Sequence, residues 1–108
     1  SLIEIDFSQN KLTDLPKDFY KLKNLEVADF SNNDISILPS NIVELNLVRE
    51  INLMNNPNFK LSADIAKQIK KNWKNLKTIL LVGTNHTESD IKELNEILPG
   101  KLVFFVEY

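Results

Sequence analysis

The fold of this chain is decided by the nine residues 25–33, LEVADFSNN, because the same pattern stands on either side of them. It reads LIEIDFSQN at residues 2–10 and VREINLMNN at residues 48–56, so the three copies lie 23 residues apart. Each copy alternates between the two sides of a short strand and ends on an Asn. A pattern that returns at a fixed interval in the twenties is typical of a solenoid, in which each unit buries its apolar edge only against its neighbours.

The chain resembles the leucine-rich repeat family over nearly its whole length. Its first two units carry Leu15-Pro16 and Leu38-Pro39 after the Asn, which is similar to the common 23-residue subtype. A fourth copy at residues 76–84 has Thr84 in place of the Asn, and the segment from Gly83 to Gly100 is similar to the closing unit of many bacterial members. The resemblance implies an α/β solenoid with a parallel β-sheet on the concave face and short turns or helices on the convex face.

These spacings predict a single domain over residues 1–108. Its units are expected at 2–24, 25–47, 48–75 and 76–101, followed by a terminal strand at 102–108. The third unit is the longest, and its extra residues are expected to form a helix over Ala63–Lys74 capped by Ser62. The fourth is expected to hold a second helix that opens on Thr87 and Asp90, which have the spacing of a capping box.

Alternation along the strands predicts which side chains are buried and which are exposed. Ile5 and Phe7 are expected to point into the solenoid, and the same register continues through the second, third and fourth strands. For the terminal strand two registers stay open, with either Val103 and Phe105 inward or Leu102, Phe104 and Val106 inward. Asn10, Asn33 and Asn56 are expected to be structural, because an amide can donate and accept hydrogen bonds at buried turns.

Leucine-rich repeat proteins usually bind other proteins through the concave sheet, which implies a binding role for the outward strand positions. We expect these to be Glu4, Asp6, Asp29, Glu50, Asn52, Met54, Leu80 and Val82. The first strands contribute carboxylates, with Arg49 at their rim, and the last contribute apolar side chains, so a basic or amphipathic polypeptide is the expected partner. The alternative is that Leu80 and Val82 lie under the terminal strand or in a self-association contact.

No catalytic or metal-binding apparatus is visible in the sequence. Asp6-x-Ser8-x-Asn10 begins like a calcium loop, but Lys11 and Lys17 stand where such a loop needs Gly and Glu. The chain has no Cys and a single histidine, His86, which we expect to be a solvated loop residue. With two glycines in all, it also lacks a phosphate-binding loop. The sequence therefore predicts a non-enzymatic protein without a cofactor or metal.

The composition limits the classes of binding partner but does not indicate a cellular compartment. A formal net charge of -2 favours neither nucleic acid nor an anionic membrane. A lysine stripe from Lys67 to Lys77 is expected to be a solvated face. No apolar run approaches the ~20 residues that cross a bilayer, and we expect no charged-then-apolar leader in these residues. Both a cytoplasmic location and the bacterial cell envelope stay open.

Two further functions and one further partner remain open on the sequence. The chain could be a regulatory or substrate-recruiting segment of a larger enzyme or receptor, or a carbohydrate or cell-surface binder that uses Phe104 and Tyr108. It begins inside a strand motif without a preceding cap, so we expect either a longer parent protein or an edge strand that pairs in a homodimer.

Overall fold

A computed structural model describes residues 3–105 and shows a solenoid with five parallel strands. The strands are β1 (Glu4–Asp6), β2 (Val27–Asp29), β3 (Glu50–Asn52), β4 (Thr78–Leu80) and β5 (Leu102–Val103). They pair in chain order, and every neighbouring pair is parallel. The predicted α/β solenoid with a parallel sheet is therefore confirmed, whereas the unit boundaries stay a prediction.

The outer layer changes character along the chain. The first two units close with 3₁₀ helices at Phe19–Lys21 and Ser40–Glu44. The next two close with α1 (Ala63–Asn72) and α2 (Glu88–Ile97). In this layer α1 packs between the second 3₁₀ helix and α2.

Both α-helices begin where the sequence places them. Ser62 Oγ accepts a hydrogen bond from Ile65 N at 3.1 Å, which caps α1. Thr87 and Asp90 exchange two hydrogen bonds across the first turn of α2, so the capping box is confirmed. At its other end α1 stops at Asn72, two residues before the predicted Lys74.

The core is a set of stacked columns between the sheet and the outer layer. Phe30 and Leu53 are fully buried, and Phe7 stacks on Phe30 with ring centroids 5.5 Å apart and planes within 6°. Burying one side chain of this size stabilises the fold by about 2 to 3 kcal/mol. The predicted inward column is confirmed, with Phe7 only half-buried because it stands at the end of the stack.

The Asn side chains hold neighbouring turns together. Asn33 Nδ2 donates to Phe7 O at 2.9 Å, and its Oδ1 accepts from Leu12 N at 3.1 Å. Asn56 repeats this one unit later and is completely buried. Asn10 differs, because it is exposed and its amide bonds only within its own turn. All three Asn side chains bond to turn backbone, as predicted. Of the three, Asn33 and Asn56 also form hydrogen bonds to the preceding unit.

The residue before each turn Asn, and before Thr84 in the fourth unit, has a left-handed backbone conformation. Gln9, Asn32 and Asn55 have φ between 56° and 58°, and Gly83 has φ 79°. A Cβ on Gly83 would lie 2.5 Å from Asn55 Oδ1, closer than side chains tolerate. A side chain at position 83 would displace the Asn55 side chain and would hold the backbone in a strained left-handed conformation, so this turn favours glycine.

Replacing Asn56 by Ala should lower the free energy of unfolding by about 3 kcal/mol, because it leaves buried backbone groups without partners. Asn10→Ala is the matched control at the exposed end and should cost less than about 1 kcal/mol. Urea denaturation followed by circular dichroism measures both values. Equal losses in the two variants would contradict a dominant role for the buried amide.

Candidate functional site

The strand register places the predicted outward residues in rows across the concave face. Asp6 lies opposite Asp29, which lies opposite Asn52. The row continues through Leu80 and ends at Val103. A second row consists of Glu4, Val27, Glu50 and Thr78. The register thus joins the acidic and the apolar positions in one continuous surface.

The acidic half of this surface is held in a fixed local geometry. Asp6 Oδ1 accepts hydrogen bonds from the backbone and hydroxyl of Ser8 at 2.8 and 2.6 Å. Asp29 accepts the same pair from Ser31 at 2.9 and 2.7 Å. The side-chain and backbone hydrogen bonds from Ser8 lower the pKa of the Asp6 carboxyl. These turns keep the carboxylates in place at the end of each strand.

A shallow cavity of about 350 Å³ lies over the acidic rows. Its polar lining residues are Glu4, Asp6, Asp29, Glu50 and Asn52. At the rim, Arg49 Nη1 lies 3.8 Å from Glu26 Oε1, and Arg49 and Lys77 line an adjoining hollow together with Glu4 and Glu50. The first three strands therefore present a concave surface dominated by carboxylates.

The apolar half is larger than the sequence predicts. Met54, Leu80 and Val82 are half-buried, and Val103 joins Leu80 in the same row. Phe105 is 73% exposed at this end. Because β5 pairs beside β4, Leu80 and Val82 do not lie under the part of the terminal strand that the structure describes, residues 102–105.

The register of the terminal strand is now defined for the described residues. Leu102 pairs with Ile79, and Leu102 and Phe104 pack against the core. Val103 and Phe105 therefore take the outward positions, while Val106 lies outside the described residues. Alternation alone could not separate the two registers, because both sides of this segment are apolar.

Phe104, one of the two aromatic side chains predicted for a carbohydrate binder, does not lie on the concave surface. Phe104 packs inward, 5.2 Å from the His86 ring, and so cannot stack on a sugar at the concave surface. Tyr108 lies outside the described residues. Phe105 is the exposed aromatic ring near this surface, and sequence alternation did not select it.

His86 is a structural residue, so the prediction of a solvated loop side chain is wrong. Leu61 N donates to His86 Nε2 at 2.9 Å, which requires that this nitrogen carry no proton. His86 Nδ1 lies 2.9 Å from Thr84 Oγ1, and that hydroxyl donates to Leu81 O. The ring thus replaces the cross-unit bond that an Asn makes in earlier turns.

Three influences act on the pKa of His86. Burial lowers it most, Asp90 raises it and Lys60 lowers it further. Lys60 also forms a salt bridge with Asp90 at 3.3 Å. The neutral ring with Nε2 as acceptor is therefore the form that the fold requires.

No cluster in residues 3–105 has the side chains to hold a metal ion. In the calcium-like stretch, Asp6 Oδ1 is occupied by Ser8 and Asn10 bonds the backbone of its own turn. Neither described helix has the length and apolarity that crossing a bilayer demands.

Comparison with known proteins agrees with this architecture. The leucine-rich repeat family model matches residues 1–22 and 24–45. A solved leucine-rich repeat protein of Leptospira interrogans superimposes with a TM-score of 0.80 at 32% sequence identity. The match covers 94% of this chain but 25% of that protein, so the chain spans about a quarter of its length. None of the curated proteins matches.

Repeating units, a parallel sheet and Asn-linked turns define a solenoid protein, and the family match specifies its kind. The chain carries two leucine-rich repeats, at residues 1–22 and 24–45, and has the fold of a leucine-rich repeat solenoid. Repeats of this family generally mediate contacts between proteins. The 23-residue subtype is compatible with the matched segments.

The His86 network predicts a loss of stability in mild acid. Because the folded pKa lies below the ordinary value of 6.5, the unfolded chain takes up a proton more readily. The free energy of unfolding should be at its full value above pH 6.5 and fall as the pH drops through and below it. Urea titrations at several pH values between about 7.5 and 5.5 measure this dependence.

His86→Gln is the control for this dependence, because it removes the one histidine of the chain. The variant should be less stable at neutral pH and nearly independent of pH across the same interval. An equal decline in both proteins would assign the effect to other groups.

Proposed function

We propose that this chain is a non-catalytic interaction module that binds a partner polypeptide on its concave sheet. The observation that carries the proposal is the row from Asp6 through Asn52 to Val103, which joins charged and apolar side chains in strict register. A side-by-side arrangement of this kind suits a ligand with both characters. The family's general role in protein contacts supports the same conclusion.

The acidic half favours a partner with basic side chains. Glu4, Asp6, Asp29 and Glu50 carry four negative charges around one shallow cavity. Their charges would accelerate the approach of a basic segment, and the effect should weaken as salt screens it. Asp6 and Asp29 keep their positions through the Ser hydrogen bonds, so little ordering is needed on binding.

The apolar half favours a partner whose other end is hydrophobic. Met54, Leu80, Val82, Val103 and Phe105 form the end of the concave surface nearest β5. Apolar side chains gathered next to charges are characteristic of contact sites. Burying them would slow dissociation, because water must return to this surface when the partner leaves. Together the two halves support a basic, amphipathic polypeptide.

Reversing the charge of Asp6 and Asp29 to Lys should weaken binding of the partner at least tenfold, because two attractions become repulsions. The partner is first captured from the native source on the immobilised chain and identified. Its affinity for each variant is then measured by titration at low and high salt. Unchanged affinity would remove the acidic rows from the mechanism.

Glu93→Lys with Glu96→Lys is the matched control, because it makes the same change in net charge on the exposed side of α2. This variant should bind the partner as the unchanged chain does. An equal loss in both variants would show that net charge, and not the concave surface, determines affinity.

We further propose that the outer edge of β1 allows a homodimer. Within the described residues β1 pairs on one side only, with β2. Ile3 is 38% exposed beside it, and Phe7 is half-buried at the end of the aromatic stack. An edge that combines open backbone groups with apolar side chains favours strand pairing between molecules.

Light scattering over a concentration series should therefore show a dimer that dissociates on dilution. Ile3→Lys should shift the chain toward the monomer, because it places a charge at the pairing edge. Ile37→Lys is the control, since Ile37 is 61% exposed away from β1. A monomer at every concentration would remove edge pairing from consideration.

A further inference from the structure

The imidazole ring of His86 is held in one protonation state by the groups around it. Its Nε2 accepts a hydrogen bond from Leu61 N at 2.9 Å, so that nitrogen carries no proton. Thr84 Oγ1 donates to Leu81 O, so the same oxygen accepts from the Nδ1–H of the ring at 2.9 Å. In the neutral form both ring nitrogens therefore have a partner.

A second proton on the ring would meet a donor instead of an acceptor. The new Nε2–H would point at the N–H of Leu61, which is buried and so has no water to turn to. Asp90 attracts the cation, but its carboxylate already accepts from Thr87 N and lies 3.3 Å from Lys60 Nζ. The protonated ring must therefore move away from the Leu61 amide.

A hollow of about 470 Å³ beside the ring gives it room to turn. The side chains that line this hollow with His86 include Glu88, Phe104 and two members of the concave surface, Val82 and Phe105. Glu88 places a carboxylate on this side, which matches an imidazolium donor. The same hollow connects the ring to the apolar end of the concave surface.

Movement of His86 acts on the terminal strand through Phe104. The two rings meet edge to face with centroids 5.2 Å apart, and Phe104 packs against the core. β5 itself has only two residues, and Leu81 N donates to Val103 O at 2.7 Å where it pairs with β4. An element with so few bonds opens at a lower free energy than the centre of a fold.

We propose that His86 is an acid-sensitive switch for the end of the solenoid. Protonation moves the ring away from Leu61 and Phe104, and β5 then separates from β4. Val103 and Phe105 leave the concave surface when β5 does. The device is thus a local opening of the last strand, and it precedes unfolding of the whole chain.

The groups around His86 set the direction of the response to pH. Burial lowers the pKa of His86, Asp90 raises it and Lys60 lowers it further. Opening releases the ring from burial and returns its pKa toward the ordinary value of 6.5. The open form therefore takes up a proton more readily, and its population should rise as the pH falls through and below 6.5.

The consequence for binding rests on the proposed function. The acidic rows lie on the first three strands, where the cross-unit bonds of Asn33 and Asn56 keep the turns together. In mild acid a bound polypeptide would thus lose its contacts with Val103 and Phe105 while its charged contacts persist. Dissociation should be faster, because the apolar contacts slow it.

Amide hydrogen exchange of the free chain, followed by NMR, measures this opening. The Leu61 and Leu81 amides should lose protection severalfold between about pH 7.5 and about pH 5.5, after correction for the exchange rate of unprotected amides. The Leu53 amide donates to Leu80 O between β3 and β4, and it should stay at least about tenfold better protected than Leu81. Equal protection at Leu53 and Leu81, or no change with pH at Leu81, would overturn the proposal.

Three variants assign the effect to the ring. His86→Gln removes the titrating group, so the protection of Leu81 should no longer depend on pH. Lys60→Gln keeps the ring but removes a cation that lowers its pKa, so the loss of protection should begin at higher pH. Lys92→Gln is the matched control, because it removes the same charge from an exposed position of α2 and should change nothing. An equal displacement in both lysine variants, or a persistent decline in His86→Gln, would overturn the proposal.

Chemical shifts from the same samples test the link to the concave surface. The amide signals of Val103 and Phe105 should move with the same midpoint as the ring signals of His86. Changes confined to His86 and Leu61 would show that the ring titrates without releasing β5, which contradicts the proposal. Because these measurements use no partner, their failure is distinguishable from failure of the charge-reversal test, which concerns binding alone.

Discussion

The structure depends on a hydrogen bond that crosses from one repeat to the next. An Asn amide such as that of Asn33 reaches the backbone of the preceding turn at Phe7 and Leu12. Strands of only two or three residues have few ladder bonds of their own, so this contact supplies much of their alignment. Once the turns are aligned, inward side chains stack in columns and outward side chains form rows. The arrangement of the concave surface is thus a consequence of how the turns satisfy their hydrogen bonds.

Much of the fold can be predicted from the sequence, because the copies of a repeat can be compared with one another. The 23-residue interval predicts the stacked strands, and Phe30 is buried as alternation requires. Ser62, Thr87 and Asp90 cap helices by chemistry that acts within three residues, so local sequence is enough to predict it. The outward positions were predicted by the same alternation, whereas their binding role rests on the resemblance and on physical reasoning.

What the sequence did not predict depends on contacts between distant residues. His86 bonds to Leu61, which no local pattern reveals, although the replacement of Asn by Thr84 signals that a cross-unit partner is missing. The outward position of Phe105 follows from pairing with β4, because a segment that is apolar on both sides has no preferred face. The hollow lined by Trp73 and Ile97 exists only because the C-terminal ends of α1 and α2 meet in space, which local sequence does not predict.

The unequal outer layer also shapes the molecule. Neighbouring strands lie about 4.8 Å apart, whereas packed α-helices need about 8 to 10 Å. Units closed by α1 and α2 are therefore wedges, wide outside and narrow inside, while those closed by three-residue and five-residue 3₁₀ helices are closer to parallel slabs. A bend concentrated in the second half of the solenoid is the expected consequence of this difference in width.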